Sequence, residues 1–417
     1  MPDIKEKIEA ANLETVRRLI DAPISLIGIN KAIDTCPGMK KNMVMHAGPP
    51  ISWDRMGDAQ KTGIKGACIY EGWAKTLEEA DALVRNGDVI IEPCHFHGTV
   101  GSMTGVTSPS MPVWEVKNEM FGNIGHCLVY ESPEPKKLSF GYVGPESMAH
   151  LKFIDEEVYP VMKELIKAMG GSINAKKIIS RALFMGDEMH SRSFASTALF
   201  NLEIAPYMYD LPFDKKTLRD VSGFIRQAEQ FYLHVVMAGC KALADGAHGV
   251  EYSTIVTGIA RNGVEVGVRV GGLGEKQFFT GPSGPIKGLY FGNYTVDDAM
   301  PDMGDSAITE TTGLGAMAHA AAPALGITKG DVKMAYEYTK QMETITIAHN
   351  PHYAIPYLNG VGSPVGIDIR KVLATGVTPV INTGIASKSG GQIGVGNAIS
   401  PKEAFVKALQ AYKEKYM

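Results

Sequence analysis

His95 and His97 flank Phe96 in a segment that follows Pro93, runs to Pro112 and carries almost no side chains suited to a core. Gly98, Gly101 and Gly105 alternate there with Ser102, Thr104, Thr107 and Ser108. Glycines at that density let backbone N–H groups approach a ligand, and hydroxyls add donors that hold an anion without charge. An imidazole pair at i, i+2 on an extended segment points to one side, as proton-transfer groups or metal ligands do. Three roles stay open for His95 and His97: catalysis or substrate binding, metal ligation, and structure.

A second constellation is Asp187, Glu188, His190 and Arg192, set between two predicted helices. The acids alone are explained by the positive end of the helix dipole that follows them. His190 and Arg192 are not, and arginine offers a planar fork matched to carboxylate or phosphate. A third runs from Gly304 to Ala318 and includes Asp305, Glu310, Thr311, Thr312, Gly313 and Gly315. Its G-x-G-x-x-A imitates a dinucleotide fingerprint, but no strand precedes it, so a nicotinamide site is rejected. Either a helix N-terminus binds an anion there through Thr311, Thr312 and the amides of Gly313 to Gly315, or small residues simply pack. Asp305 and Glu310 would repel an anion, so they are expected to face Arg or His, be protonated, or hold a cation. Weaker signals are Arg269 with Gly271–Gly274, and Asn382-Thr383-Gly384 ahead of Lys388 and Gln392. Walker A, G-x-S-x-G and H-E-x-x-H sequences do not occur.

The elements that must position these groups follow from periodicity. A helix is expected over 3–20, strands over 24–29 and 42–46, helices over 53–74 and 76–85, and strands over 89–91, 113–116 and 126–130. The order strand, helix, strand suggests a parallel-type layer. Residues 147–169, 175–185, 190–209 and 215–244 read as helices alone. A hairpin, 253–261 with 264–270, turns at Asn262-Gly263, which favours a two-residue type I′ turn. Helices at about 313–322 and 331–349, a strand at 377–381, a loop at 387–396 and a final helix capped by Ser400 complete the chain. The fold class is α/β and multi-domain: an N-terminal α/β domain over 1–145, a helical region over 146–245, and a C-terminal α/β domain over 246–417 opening with the hairpin.

Composition limits the partners. A net charge of −4 gives no electrostatic case for nucleic acid or an anionic membrane surface. Glycine makes up 46 of 417 residues, above the usual ~7%, and clusters in loops, which suits a ligand-handling protein. Five widely spaced cysteines without C-x-x-C argue against a disulfide framework or structural zinc, and for a reducing cytoplasm. The start, Met1-Pro2-Asp3-Ile4-Lys5, reads as a charged helix rather than a signal peptide, and no apolar run reaches the ~18 residues of a membrane span. A cytoplasmic, oligomeric protein is expected.

These segments together resemble the AllG family of oxamate carbamoyltransferase subunits. The likeness is carried by His46 to Met56, Pro93 to His97, Thr107 to Pro112, Met185 to His190, Gly304 to Thr311 and Thr383 to Ala386, in order across most of the chain. The resemblance implies carbamoyl transfer between oxalurate or oxamate and phosphate or carbamoyl phosphate, in anaerobic allantoin degradation and purine catabolism. It also implies a multi-subunit complex with proteins resembling FdrA and AllH. The phosphate loop and His-Pro-x-Gln signature of ordinary carbamoyltransferases are missing, so their fold and residues are not carried over.

Carbamoyl transfer passes through a tetrahedral oxyanion and needs anion holders and a proton carrier, with no redox cofactor. On chemistry, His95, His97, Asp187, Glu188 and His190 are the catalytic candidates. His46, Ser102, Thr104, Arg192, Arg269, Thr311, Thr312, Gly313, Gly315 and Asn382 are the substrate-binding ones. No metal and no cofactor are assigned. Two other readings compete: a non-catalytic scaffold subunit, and a metal-dependent hydrolase of a ureido or amide substrate using His95, His97, Asp187 and His190.

Overall fold

The first helix, Ile4–Asp21, is set by a capping box: Asp3 accepts from the Glu6 amide at 2.8 Å and Glu6 accepts from the Asp3 amide at 3.1 Å. The computed structural model describes residues 3–329 and 331–417, so Met1 and Pro2, the start of the N-terminal reading, lie outside the described residues. The architecture is α/β, with helices, several separate sheets, and a run of helices between Pro145 and Gly246.

The five-stranded sheet is largely antiparallel, not the parallel layer expected. Ile24–Lys31 pairs antiparallel with Pro112–Asn118, which pairs antiparallel with Ile124–Leu128. A parallel pair needs a crossover of a dozen residues or more. Met43–His46 and Ile90–Pro93 have one, through helices Asp58–Tyr70 and Leu77–Arg85, and they do pair in parallel. Only the short Ala32–Thr35 helix separates Ile24–Lys31 from Met43–His46, and these do not pair.

The core is organised by helix Phe231–Gly246, buried on every side from Phe231 to Ala244. Phe231 meets the Trp114 ring edge-on at 5.6 Å between centroids, and Phe200 stacks at 5.2 Å from Tyr232. Gly125 lets the neighbouring strand come close, since a Cβ there would lie 2.0 Å from the Ala238 carbonyl oxygen. The cluster built on this helix runs from Val16 to Val365. All five cysteines are free and buried.

Several expected elements differ. The helix over 215–244 is two, Lys215–Gln227 and Phe231–Gly246. Thr197 is wedged at the break, its hydroxyl donating to the Glu229 carbonyl and accepting from the Tyr232 amide, which diverts groups a continuous helix would use. The helix expected to 349 stops at Glu343, and Thr346–Ile355 is a strand paired with Val361–Ile367. The β-branched run Thr344 to Ile347 explains the switch.

The glycine-rich 387–396 segment is not all loop. Gln392–Ile399 is a strand, and a Cβ on Gly394 or Gly396 would lie 2.4 Å from a carbonyl oxygen of strand Lys287–Tyr290. The hairpin forms, but not with a type I′ turn. Arg261 pairs with Val266, only Gly263 has positive φ, and the Asn262 side chain accepts from the Val264 and Glu265 amides. Pro401, not Ser400, precedes the last helix, because the Ser400 amide is still bonded to Pro379.

Candidate functional site

Two buried imidazoles hang on one short stretch of chain. Asp305 precedes the short helix Ile308–Thr311 and Glu310 lies within it, and both are fully buried. His95 Nε2 lies 3.6 Å from Asp305 Oδ1, and His190 Nδ1 lies 2.8 Å from Glu310. The 93–112 and 185–192 segments, far apart in sequence, therefore each place a histidine against the stretch from Asp305 to Glu310.

Around His95, Lys241 donates to Asp245 at 2.8 Å and to the His95 carbonyl at 3.1 Å, and lies 3.4 Å from His95 Nδ1. Arg269 donates to Asp245 at 2.6 Å and to the Thr257 carbonyl at 2.9 Å. The backbone amides of Gly48 and Gly101 donate to the two oxygens of Asp305 at 2.8 and 3.2 Å. Burial pushes Asp305 up to about 7 and Lys241 down to about 8. Burial, with Lys241 and Arg269 nearby, keeps His95 neutral. Burial alone would raise Asp245, but the same two cations hold it well below the carboxylate range.

Around His190, Glu310 also accepts from the amides of Ala316 at 3.1 Å and Asn382 at 3.0 Å. Burial works against its charge, yet His190 and these donors hold it low. Glu188 accepts from the amides of His190 and Arg192 and from the Asn382 side chain at 2.8 Å, while burial raises it. Asp187 caps helix Phe194–Met208, accepting from the Ala195 and Ser196 amides, and burial lifts it to about 6. Arg192 is partly exposed, 3.8 Å from Asp187 and with its guanidinium over the Phe194 ring.

Other candidates lie elsewhere or do other work. His95 and His97 do not share a side, because Cys94–His97 is a 3₁₀ helix and not an extended strand. His97 is fixed by Pro37 at 2.6 Å and Glu92 at 2.8 Å. His46 bonds the Ala47 carbonyl, and burial pushes it down to about 4. Ser102 meets His234 at 3.3 Å, and Thr104 donates to the Leu138 carbonyl.

The anion site expected at Thr311–Gly315 is already filled by the protein. Thr311 bonds back to Ala307 and Thr312 to Thr309 and Cys240. The Gly313 and Gly315 amides go to the carbonyls of Glu310 and Glu188, so the carboxylate at this turn is Glu310 itself. Among the described residues no three His, Cys, Asp or Glu side chains are grouped to hold a metal ion. A separate cleft of about 920 Å³ lies between helices Phe194–Met208 and Lys215–Gln227, lined by Leu202, Tyr209 and Arg219 among others.

Lys241 and Asp245 were not singled out from sequence. The available signal was a lysine inside the mostly apolar run Phe231 to Ala244.

A model of the family described as oxamate carbamoyltransferase subunit AllG matches residues 89–306. The chain is 39% identical over 377 residues to the oxamate carbamoyltransferase subunit AllG of Escherichia coli K12, covering 89% of each. The chain belongs to the AllG family. It is also 41% identical to the uncharacterized protein YahG of E. coli K12, over 99% of this chain and 88% of that one. The crystal structure of a conserved protein of unknown function from Enterococcus faecalis V583 superposes with a TM-score of 0.97 at 41% identity, covering both chains fully. Among the described residues no helix is long and apolar enough to cross a membrane.

Proposed function

We propose that this chain is a catalytic subunit of an oxamate carbamoyltransferase, moving a carbamoyl group between oxalurate or oxamate and phosphate or carbamoyl phosphate. The observation that supports it most is the pair of buried imidazole–carboxylate contacts, His95 with Asp305 and His190 with Glu310, on one short stretch of chain. In the phosphorolytic direction a phosphate oxygen attacks the ureido carbonyl of oxalurate. The bond from that carbon to the oxamate nitrogen breaks, and the phosphate proton ends on that nitrogen. His190 suits the transfer: Glu310 fixes Nδ1, which leaves Nε2 to exchange the proton. Arg192, at the accessible edge, suits the substrate carboxylate or phosphate.

The E. coli relative is named a subunit, and we extend that to this chain, with partners resembling FdrA and AllH and a cytoplasmic, oligomeric assembly. The test is to give oxalurate and phosphate to the purified chain, alone and then with those partners, and to measure oxamate and carbamoyl phosphate. Formation of both, lost in His190→Asn, supports a catalytic role. Unchanged turnover in a complex carrying His190→Asn and Asp305→Asn would make the chain a scaffold.

A further inference from the structure

Helix Phe194–Met208 is apolar on more than the face it buries. Leu199, Phe200 and Ile204 enter the core, yet Phe194 is 49% exposed, Leu202 70% and the following Tyr209 86%. A helix that is apolar all round is ordinarily covered all round. Phe194, Ala198, Leu202, Ala205 and Tyr209 recur at helical spacing, so they form one stripe, and that stripe is a wall of the cleft of about 920 Å³. The opposite wall is helix Lys215–Gln227, which presents Lys215, Arg219, Ser222 and Arg226 at the same spacing.

The charges and sizes say what the cleft takes. Lys216 is paired with Asp220 at 2.7 Å, but among the described residues Lys215, Arg219 and Arg226 make no ion pair. Glu229 is the one acid against these three cations in the lining. Ala198, Ala205 and Ser222 are small, which lets a third helix settle between the two walls. The stripe from Phe194 to Tyr209 spans about 22 Å at a helical rise per residue, the length of roughly four turns. An exposed apolar groove of this extent, rimmed by charge, marks a protein contact. A second copy of the chain is a poor occupant, because a two-fold interface sets one patch against itself and would bring the unpaired cations together.

We propose that this groove docks an amphipathic helix of a different chain, with apolar residues at i, i+3, i+4 and i+7 and acidic residues on the flank that meets Lys215, Arg219 and Arg226. The Arg192 guanidinium lies over the Phe194 ring, 6.0 Å from its centroid, so the docked helix covers the accessible edge where Arg192 stands. That it thereby closes a transfer site rests on the function proposed above; the docking itself does not.

The test uses two labelled, helix-stabilised peptides of about 18 residues that share one leucine stripe, flanked by Glu in the first and by Lys in the second. Fluorescence anisotropy with the purified chain is expected to show the Glu peptide binding at least about tenfold more tightly than the Lys peptide, a preference that shrinks at high salt. Ala205→Trp fills the groove and Leu202→Asp sets an acid on its apolar wall. Both positions are exposed, so Tm should hold while affinity for the Glu peptide falls at least about tenfold. Arg219→Glu should remove most of the preference between the peptides. Equal binding of the two peptides, binding of neither, or undiminished binding by folded Ala205→Trp each overturns the proposal. A dimer in sedimentation equilibrium that Leu202→Asp splits also overturns it, by giving the groove to a second copy. Turnover does not enter these measurements. A chain that docks the acidic peptide and supports no transfer would therefore sink the transferase reading and leave the groove standing.

Discussion

The carboxylate of Glu310 lies 2.8 Å from Nδ1 of His190 and caps the turn at Gly315–Ala316 in the same position. One side chain thus orients an imidazole and closes a helix end, so its removal should show in both stability and turnover.

His190→Asn and Glu310→Gln separate those two effects. Asparagine places an amide nitrogen near the former Nδ1, so the contact to Glu310 survives while the exchangeable Nε2 is gone. We expect His190→Asn to stay within about 1 kcal/mol of wild type in urea unfolding, yet to lose transfer by 10²-fold or more, roughly the contribution of a general acid–base group. Glu310→Gln should lose about 1–3 kcal/mol, because a charged acceptor of several hydrogen bonds is replaced by one that also carries donors. Normal turnover in His190→Asn would remove the proton-transfer role.

Gly315 has φ +59°, and a Cβ there would meet Glu310 Oε1 at 2.3 Å. Gly315→Ala should therefore cost at least about 1–2 kcal/mol from the left-handed backbone alone, with the clash added. Thermal unfolding checks this, and an unchanged Tm would mean that the turn can relax.

Arg192→Lys is expected to keep the fold, since the side chain is 39% exposed and its ion contact to Asp187 is 3.8 Å. Under the proposed function it should lower kcat/KM for oxalurate and phosphate at least about tenfold, because lysine cannot supply a bidentate fork. Unaltered kinetics would reduce Arg192 to a surface residue packed on Phe194.

Asp305 gives a pH signature. Burial lifts its carboxyl to about 7 in the fold, whereas in the unfolded chain it titrates near ~3.9. Between these values the native state binds more protons, so this group makes stability fall as pH rises from about 4 to about 7. His95, kept neutral by burial, acts the other way as pH drops below its ordinary range. The comparison of interest is wild type minus Asp305→Asn in urea titrations. That difference should fall as pH rises across the window, and a flat one would show that Asp305 is ionised throughout.

How legible was this in the sequence? The polar misfits were. Asp305 and Glu310 stood out in a stretch read as an anion site, and both face histidines, as an acid in that place must face a cation or a donor. Elements fixed by local chemistry, such as the helices Ile4–Asp21 and Leu77–Arg85, were legible too. What was not legible depends on distant partners. Thr197 breaks a helix some 30 residues away. His95 and His97 diverge through a 3₁₀ turn that their spacing does not announce. Lys241 sits in an apolar helix, where a lone lysine reads as a stem reaching for water until Asp245, Arg269 and His95 converge on it.

The burial of every thiol has a practical corollary. Burial pushes Cys36 and Cys240 up to about 12 and Cys68 to about 11, and lifts Cys94 and Cys127 well above the ordinary thiol. Alkylating reagents attack the thiolate, so the native chain is nearly mute to them and each modification counts one opening event. Cys94 adjoins His95, Cys240 adjoins Lys241 and receives the Thr312 hydroxyl, and Cys68 belongs to the helix Asp58–Tyr70. The five sulfurs thus form a built-in clock, whose separate hands would time how often each region around the histidines comes apart.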